Sequence, residues 1–223
     1  MDIEWKGKQI TSYLNTKWLG RSLLYMEQLD STNIQAKKLG EEKAIQGTVV
    51  VTERQTAGKG RRGRNWISPE GNCYFSMLLR PDILPEKASM ITLVAALAVC
   101  KAIEEITQLE VRIKWPNDVV CNGKKLCGIL TESSTDELHL TYVVVGIGVN
   151  VNQKEFAPEI SHMASSLALL KGEDVNQARL LGSIMNWFEV YYEHFLDTED
   201  MSLLLQEYNM LLINCGKDVR MID

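Results

Sequence analysis

The residues best suited to chemistry form a dense basic loop. The run from Gly58 to Trp66, with the sequence GKGRRGRNW, holds four cations and three glycines. Glycines let the backbone approach a ligand closely, and arginine and lysine suit phosphate or carboxylate oxygens. The run therefore predicts an anionic ligand, although a solvated basic loop or a nucleic-acid patch has a similar composition. It is not a Walker A loop, because neither Ser nor Thr follows the Gly-Lys pair.

A second cluster begins with the run Lys114-Trp115-Pro116-Asn117-Asp118 and continues through Asn122-Gly123 to Lys125 and Gly128. Asn117 and Asp118 can hold a metal ion or a ribose, but such residues after proline also make plain turns. Lys125 is either an ordinary strand-end lysine or a functional one, since the apolar hairpin aims it at one place.

A third cluster is the strand-like stretch 143–151, in which Gly146, Gly148 and Asn150 occupy alternate positions. Alternate residues share one face of a strand. Glycines there leave space either for a flat ligand against the backbone or for close helix packing. The three histidines lack metal-ligand spacing and no Gly-x-Ser-x-Gly motif is present, so hydrolase chemistry is disfavoured.

The composition of the 223-residue chain is that of a globular protein, with 45% hydrophobic and 24% charged residues. A net charge of -5 argues against general nucleic-acid binding. Five cysteines without a close CxxC pair indicate neither a disulfide framework nor a zinc site. With no apolar run long enough for a signal peptide or membrane span, we predict a cytoplasmic protein without membrane contact.

The patterning predicts strands grouped together rather than alternating with helices. We expect an α+β fold with a mixed, mostly antiparallel central sheet flanked by helices. The strongest local signal is Asn122-Gly123, a two-residue hairpin turn. The predicted helices cover residues 9–19, about 32–40, 88–106, 164–170, 176–195 and 202–214, and the predicted strands cover 23–26, 48–52, 73–79, 111–114, 119–121, 126–133 and 139–148.

Four motifs in this order resemble the catalytic domain of biotin protein ligases: 30–33, 55–66, 114–132 and 146–150. The resemblance implies a class II aminoacyl-tRNA synthetase/biotin synthetase-like fold. It further implies a monofunctional enzyme without the DNA-binding domain, which activates biotin with ATP and Mg²⁺ as biotinyl-5′-AMP. The biotin then passes to a lysine of a biotin carboxyl carrier protein. Family members often form homodimers, and a homodimer is a possible state here.

The resemblance also assigns roles to individual residues. Lys125 and Arg61 would be catalytic, Trp66 would stack on adenine, and Asn117 would lie near Mg²⁺. Gly146 and Gly148 would clear room for the biotin rings. The residues implied to bind biotin or ATP are Ser31, Thr32, Asn33, Gln55, Gly58, Lys59, Gly60, Arg61, Arg64, Trp66, Asn117, Lys125, Gly128, Gly146, Gly148 and Asn150.

The implied domain organisation is a catalytic domain over residues 1–214, with residues 215–223 as the start of a C-terminal SH3-like domain that is otherwise absent. Two alternatives to a biotin ligase stay open. One is a lipoate or octanoate ligase, which acylates a carrier lysine in a similar fold. The other is a truncated biotin-binding module without catalysis.

Overall fold

A computed structural model describes residues 3–137 and 139–217, with side chains described from Lys6 onward. None of the helices within these residues combines the length and the apolar character needed to cross a membrane. The α-helices are α1 (Ile3–Thr11), α2 (Thr32–Glu41), α3 (Ile91–Thr107), α4 (Leu167–Lys171), α5 (Gln177–Thr198) and α6 (Leu205–Leu211), and short 3-10 helices cover Arg61–Gly63 and Pro85–Met90.

Within the described residues, seven strands form one mixed sheet, which confirms the predicted fold class. Only β1 and β2 are parallel, and every other neighbouring pair is antiparallel. The order across the sheet is β1-β2-β3-β7-β6-β5-β4. The strands are β1 (Ser22–Leu29), β2 (Thr48–Gln55), β3 (Cys73–Leu79), β4 (Arg112–Lys114), β5 (Asp118–Cys121), β6 (Lys124–Asp136) and β7 (His139–Val149).

The two faces of the sheet have different covers. On β7, Val145 and Ile147 point into the main hydrophobic core, which α3 and α5 complete. The alternate residue Val144 packs against Ala36 of α2 on the other face. Because α2 contacts mainly β2, β3 and β7, the second face is only partly covered by helix, and its open part lies beside the N-terminus of α2.

Glu189 of α5 anchors the chain where it enters β1. Its side chain is buried, and it accepts hydrogen bonds from the backbone N–H groups of Trp18 (3.0 Å) and Leu19 (2.8 Å), and also from Lys17. This carboxylate satisfies amides that would otherwise be orphaned in the interior. It therefore positions β1 against the rest of the sheet.

The first predicted helix is wrong in its placement, because α1 ends at Thr11 instead of continuing to Leu19. Hydroxyls at Thr11 and Ser12 bond back to carbonyls of the last turn, and Glu189 takes the amides further along. The last predicted helix is also too long, since α6 covers only Leu205–Leu211. The predicted start of a C-terminal SH3-like domain, residues 215–223, lies outside the described residues from residue 218 onward.

Candidate active site

A cavity of about 750 Å³ opens on the partly covered face of the sheet. It gathers residues from all four of the motifs that carry the resemblance. The predicted residues that line it are Ser31, Thr32, Asn33, Gln55, Lys59, Gly60, Arg61, Arg64, Trp66, Asn117, Lys125, Gly128, Gly146 and Gly148. Gly58 and Asn150 are not among its lining residues.

A β-bulge brings Lys125 into this cavity. In the ladder between β5 and β6, Val120 pairs with Lys125 while Val119 pairs with Cys127, so Leu126 is an extra residue. Leu126 and Cys127 are consecutive, yet both are fully buried in the main core. The bulge shifts the alternation by one residue, which places Lys125 on the same side of the sheet as Gly128.

Lys125 is held by two partners at the cavity wall. Its Nζ lies 2.7 Å from Asp118 Oδ1, which is an ion-pair distance, although the angles are not those of a hydrogen bond. The same Nζ lies 5.0 Å from the centre of the Trp66 ring, within cation–π range. Two opposite charges this close attract each other whatever the angle.

The ring of Trp66 lies on a floor made by two glycines. Gly128 of β6 and Gly148 of β7 are directly paired, and a Cβ at either position would lie 2.7 Å from an atom of the indole. Only glycine therefore leaves room for the ring. The indole Nε1 is buried and has no hydrogen-bond partner among the described residues. The space left by the two glycines is thus filled by the Trp66 side chain, whose indole N–H makes no hydrogen bond among the described residues.

Gly146 makes space for Asn33 in the same way. A Cβ at Gly146 would lie 1.8 Å from Asn33 Oδ1, so the helix-packing interpretation holds at this position. Asn33 Nδ2 donates to Glu132 Oε2 (2.8 Å) and to the carbonyl of Leu130 (3.2 Å), and its Oδ1 accepts from Ser76 (2.7 Å). All the polar groups of Asn33 have protein partners, so it supports the cavity wall from behind.

Sequence reasoning missed Ser76 and Glu132. Ser76 is fully buried in the middle of β3, where a polar residue among apolar neighbours was an available signal. Glu132 is paired with Lys37 at 3.0 Å. Burial raises the pKa of Glu132, but hydrogen bonds from Asn33 and Lys37 outweigh this and leave it below its usual value of 4.5. Glu132 is therefore ionised near neutral pH.

The part of the cavity wall formed by Ser31, Thr32 and Gln55 is polar but uncharged. Ser31 occupies the N-cap position of α2, yet its side chain makes no capping bond. The Thr32 N–H donates to Gln55 Oε1 (2.9 Å), and Gln55 Nε2 donates to Ser68 Oγ (2.9 Å). Ser68 in turn donates to the carbonyl of Trp66 (3.0 Å). One hydrogen-bonded chain thus connects the start of α2 to the end of the basic loop.

The basic loop is closed at its base and exposed at its tip. Gly60 N donates to Arg64 O (2.7 Å), and Trp66 N donates to Gly58 O (2.9 Å). A Cβ at Gly58 would lie 2.4 Å from Trp66 O, so this glycine serves the loop's own packing. Arg61 Nη1 reaches across the cavity to Asn117 Oδ1 (3.1 Å).

The described residues do not fit a resident magnesium ion. Asn117 Oδ1 accepts from Arg61, and Asp118 Oδ1 faces Lys125, so each of these two residues already has a cationic side chain as its partner. No group of three or more His, Cys, Asp or Glu suited to a metal exists in the part of the chain that the structure describes.

Asn150, which does not line the cavity, donates from Nδ2 to the carbonyl of Ser165 (3.1 Å), which is a structural contact.

Comparison with known proteins shows relatives at high similarity. The chain is 42% identical over 186 residues to the bifunctional ligase/repressor BirA of Bacillus subtilis, covering 82% of this chain and 57% of that protein. It is 39% identical over 151 residues to the biotin--[acetyl-CoA-carboxylase] ligase of Paracoccus denitrificans, covering 66% of this chain and 62% of the relative. The chain therefore spans less than two thirds of the length of these relatives.

Among solved structures, the biotin protein ligase from Aquifex aeolicus in complex with biotin and ATP matches with a TM-score of 0.76 and 34% sequence identity. The match covers 87% of this chain and 79% of that one. The fold is that of these ligases, a class II aminoacyl-tRNA synthetase-like sheet with flanking helices. The model of one family matches residues 25–150, which include every predicted site residue. The chain belongs to the biotin/lipoate A/B protein ligase family.

Proposed function

We propose that this chain is an ATP-dependent biotin ligase. It activates biotin as biotinyl-5′-AMP and then transfers biotin to a lysine of a carrier domain. One observation carries the proposal: a single cavity is lined both by neutral hydrogen-bonding groups and by cations. The neutral groups include Ser31, Thr32 and Gln55, and the cations include Lys59, Arg61 and Lys125.

Biotin matches this division in its chemistry. Its bicyclic urea needs donors and acceptors without net charge, while its carboxylate tail needs cations. Lipoate carries an apolar dithiolane ring in place of the urea. That ring could form no hydrogen bonds with Thr32, which is buried, or with Gln55, which is partly buried, so it would lose the affinity that a matched polar ligand gains there. The neutral polar wall thus favours biotin.

In the first step a carboxylate oxygen of biotin attacks the α-phosphorus of ATP. A new P–O bond forms, the bond to the β-phosphate oxygen breaks, and pyrophosphate leaves. Two anions must approach each other, so neutralisation of charge is the main requirement. Arg61 and Lys125 supply it, and Lys59 and Arg64 add to the positive field of the loop. Mg²⁺ would enter with the phosphates of ATP instead of residing at Asn117.

In the second step the neutral amine of a carrier lysine attacks the carbonyl carbon of the mixed anhydride. The new amide bond forms as AMP leaves, and the amine releases its proton. Water competes for the same carbon, so the adenylate must be covered until the carrier arrives. The tip of the basic loop is exposed and several of its residues line the cavity, so we expect the loop to close over the phosphate. Loop ordering on ligand binding is part of the proposal.

The proposed acceptor is a biotin carboxyl carrier domain, by analogy with relatives named as ligases of acetyl-CoA carboxylase. The homodimer, the absence of nucleic-acid binding, the cytoplasmic location and the division of the chain at residue 214 stay predictions. So do the individual ligand contacts assigned to the cavity residues.

The test is isotope exchange between pyrophosphate and ATP. The purified chain is incubated with ATP, Mg²⁺ and labelled pyrophosphate, and with biotin, lipoate or no acid. We expect exchange with biotin, and at least about tenfold less with lipoate, because the unpaired polar groups oppose the apolar ring. Lys125→Ala is the variant in which exchange should be impaired. Lys124→Ala, changed at the neighbouring residue of the same strand, is its matched control.

Two outcomes contradict the proposal in different ways. Exchange that depends on lipoate and not on biotin would make the chain a lipoate ligase. Absence of exchange with either acid, in a folded preparation that binds biotin, would make it a binding module. Transfer is followed separately, as covalent biotin on an added carrier domain, so a defect in the second step is distinguishable from one in the first.

A further inference from the structure

The orientation of the Asn33 amide follows from its partners. Its Nδ2 faces Glu132 Oε2 at 2.8 Å and the Leu130 carbonyl at 3.2 Å. A carboxylate and a carbonyl only accept hydrogen bonds, so the amide must present its two N–H groups to them. The oxygen Oδ1 is then turned toward Ser76. The Glu132 carboxylate and the Leu130 carbonyl together therefore orient the Asn33 side chain so that its oxygen, and not its nitrogen, faces Ser76 of β3.

This orientation fixes the hydroxyl proton of Ser76. Ser76 Oγ lies 2.7 Å from Asn33 Oδ1 and 2.8 Å from Thr32 Oγ1, and a hydroxyl has one proton to give. Oδ1 has none to offer, so Ser76 must donate to Asn33. In the contact between Ser76 and Thr32, Thr32 is consequently the donor.

Thr32 has a second possible acceptor, but it is the weaker one. Gln55 Oε1 lies 3.3 Å from Thr32 Oγ1, and this oxygen already accepts the Thr32 backbone N–H. Ser76 Oγ is closer, at 2.8 Å, and two lone pairs would face each other there without the proton, so the Thr32 hydroxyl donates to Ser76. The lone pairs of Thr32 Oγ1 alone are left for a ligand in the cavity.

We propose that Glu132, Asn33 and Ser76 act as a polarity relay that makes the Thr32 hydroxyl an acceptor only, and thereby selects a ligand with an N–H at that point. The relay rests on the proposed function, in which the ligand is biotin and the group is one N–H of its ureido ring. Thr32 is 4% exposed and Ser76 is 0% exposed, so water cannot easily replace a missing partner. A ligand that presents an acceptor lone pair to the lone pairs of Thr32 Oγ1 in this interior is therefore bound less tightly.

The relay gives Ser76 and Glu132 a positioning role in specificity. Neither lines the cavity, and both act through other residues. A purely structural role would weaken all ligands alike, whereas a polarity role changes the preference between two ligands of the same shape. The preference is therefore the quantity to measure.

The experiment compares biotin with its two cyclic-carbamate analogues, in each of which one ureido N–H is replaced by a ring oxygen. Dissociation constants are measured by calorimetry on the full chain, for the wild type and for Ser76→Ala and Glu132→Gln. Ser133→Ala, on an exposed position of β6 beside Glu132, is the matched control. Glu132→Gln replaces one of the two obligate acceptors that hold the Asn33 amide with a side chain that can donate or accept. Only the longer contact to the Leu130 carbonyl, at 3.2 Å, then opposes rotation of the amide.

We expect the wild type and Ser133→Ala to prefer biotin over at least one analogue by about tenfold or more. Ser76→Ala leaves the Thr32 proton only the longer contact to Gln55, so the hydroxyl can turn its proton toward the ligand and the preference should fall at least about threefold. Glu132→Gln should reduce the preference in the same direction. If Ser76→Ala does not fold, Glu132→Gln carries the test alone.

Two results would overturn the relay. One is equal weakening of biotin and analogues in the variants, which leaves the preference unchanged. The other is a wild type that binds biotin and the analogues equally well. A wild type that binds no biotin would instead refute the proposed function, so the two failures are separate.

Discussion

Lys125 and Asp118 form an ion pair at 2.7 Å inside the cavity, on neighbouring strands β6 and β5. Side-chain exposures of 33% and 23% show that both groups are partly withdrawn from water. The pair holds the flexible lysine at one point on the wall, beneath the Trp66 ring. Because the pair fixes the position of Lys125 Nζ, the lysine is already oriented when a substrate arrives. An anionic ligand that attracts Lys125 then competes with Asp118 for it.

Lys125 should act mainly on the chemical step. We expect Lys125→Ala to lower the rate of adenylate formation by about 100-fold or more, because it removes a cation from the developing charge. Biotin affinity should fall much less. Single-turnover kinetics and biotin titration measure the two quantities. Lys124→Ala, whose Nζ faces the carbonyl of Ser161, should change neither.

Arg61 should act mainly on retention of the intermediate. Arg61→Gly removes the contact to Asn117 across the cavity mouth, so we expect biotinyl-5′-AMP to escape faster, by about tenfold or more. Release is followed by rapid filtration of labelled adenylate. Arg54→Ala is the control, because Arg54 pairs with Glu70 at 3.5 Å and does not line the cavity. Equal losses in both assays for Lys125→Ala and Arg61→Gly would contradict this division of labour.

Gly148→Ala should displace Trp66 from its floor. The added Cβ would lie 2.7 Å from the indole Nε1, so the ring must shift. We expect altered tryptophan emission in the free chain and nucleotide affinity lowered by about tenfold, if the stacking role of Trp66 holds. Gly7→Ala in α1 meets atoms no closer than 3.8 Å and is the control. Unchanged emission and affinity in Gly148→Ala would contradict the prediction.

Glu189 and Glu193 lie one turn apart on α5 and should differ greatly in their effect on stability. Glu189→Ala leaves buried backbone N–H groups without an acceptor, so the free energy of unfolding should fall by about 2 kcal/mol or more. Glu193 makes an exposed pair with Lys17 at 3.4 Å, and its alanine variant should cost less than about 1 kcal/mol. Urea denaturation measures both, and similar losses would refute the assignment.

Glu132 predicts a pH dependence of stability. Its pKa is lower in the folded chain than its usual 4.5, so the folded state favours the ionised carboxylate. The corresponding stabilisation is fully present above pH 4.5 and is lost as the pH falls through the lowered folded pKa. The difference in unfolding free energy between the wild type and Glu132→Gln should therefore shrink from about pH 6 to about pH 3. A difference that stays constant over this range would contradict the ion-pair geometry.

The sequence by itself determined those features that depend on local periodicity and residue type. The bounds of β3 agree with the predicted 73–79, and Asn122 and Gly123 both adopt the positive φ that a tight hairpin requires. Gly146 and Gly148 share a face, as the two-residue period of a strand demands. The cations of the loop and the neutral residues near α2, which the sequence singled out, line one cavity.

The tertiary structure alone decided which groups meet across that cavity. Leu126 forms the bulge that turns Lys125 toward Gly128, and strand periodicity contains no sign of an extra residue. Asn33 and Glu132 are 99 residues apart in the chain, yet their hydrogen bond orients the wall behind Thr32. Such contacts depend on the register of strands and on how closely α2 packs on β7. Local sequence specifies the elements, but long-range packing sets the distances between them, and the chemistry of this cavity depends on those distances.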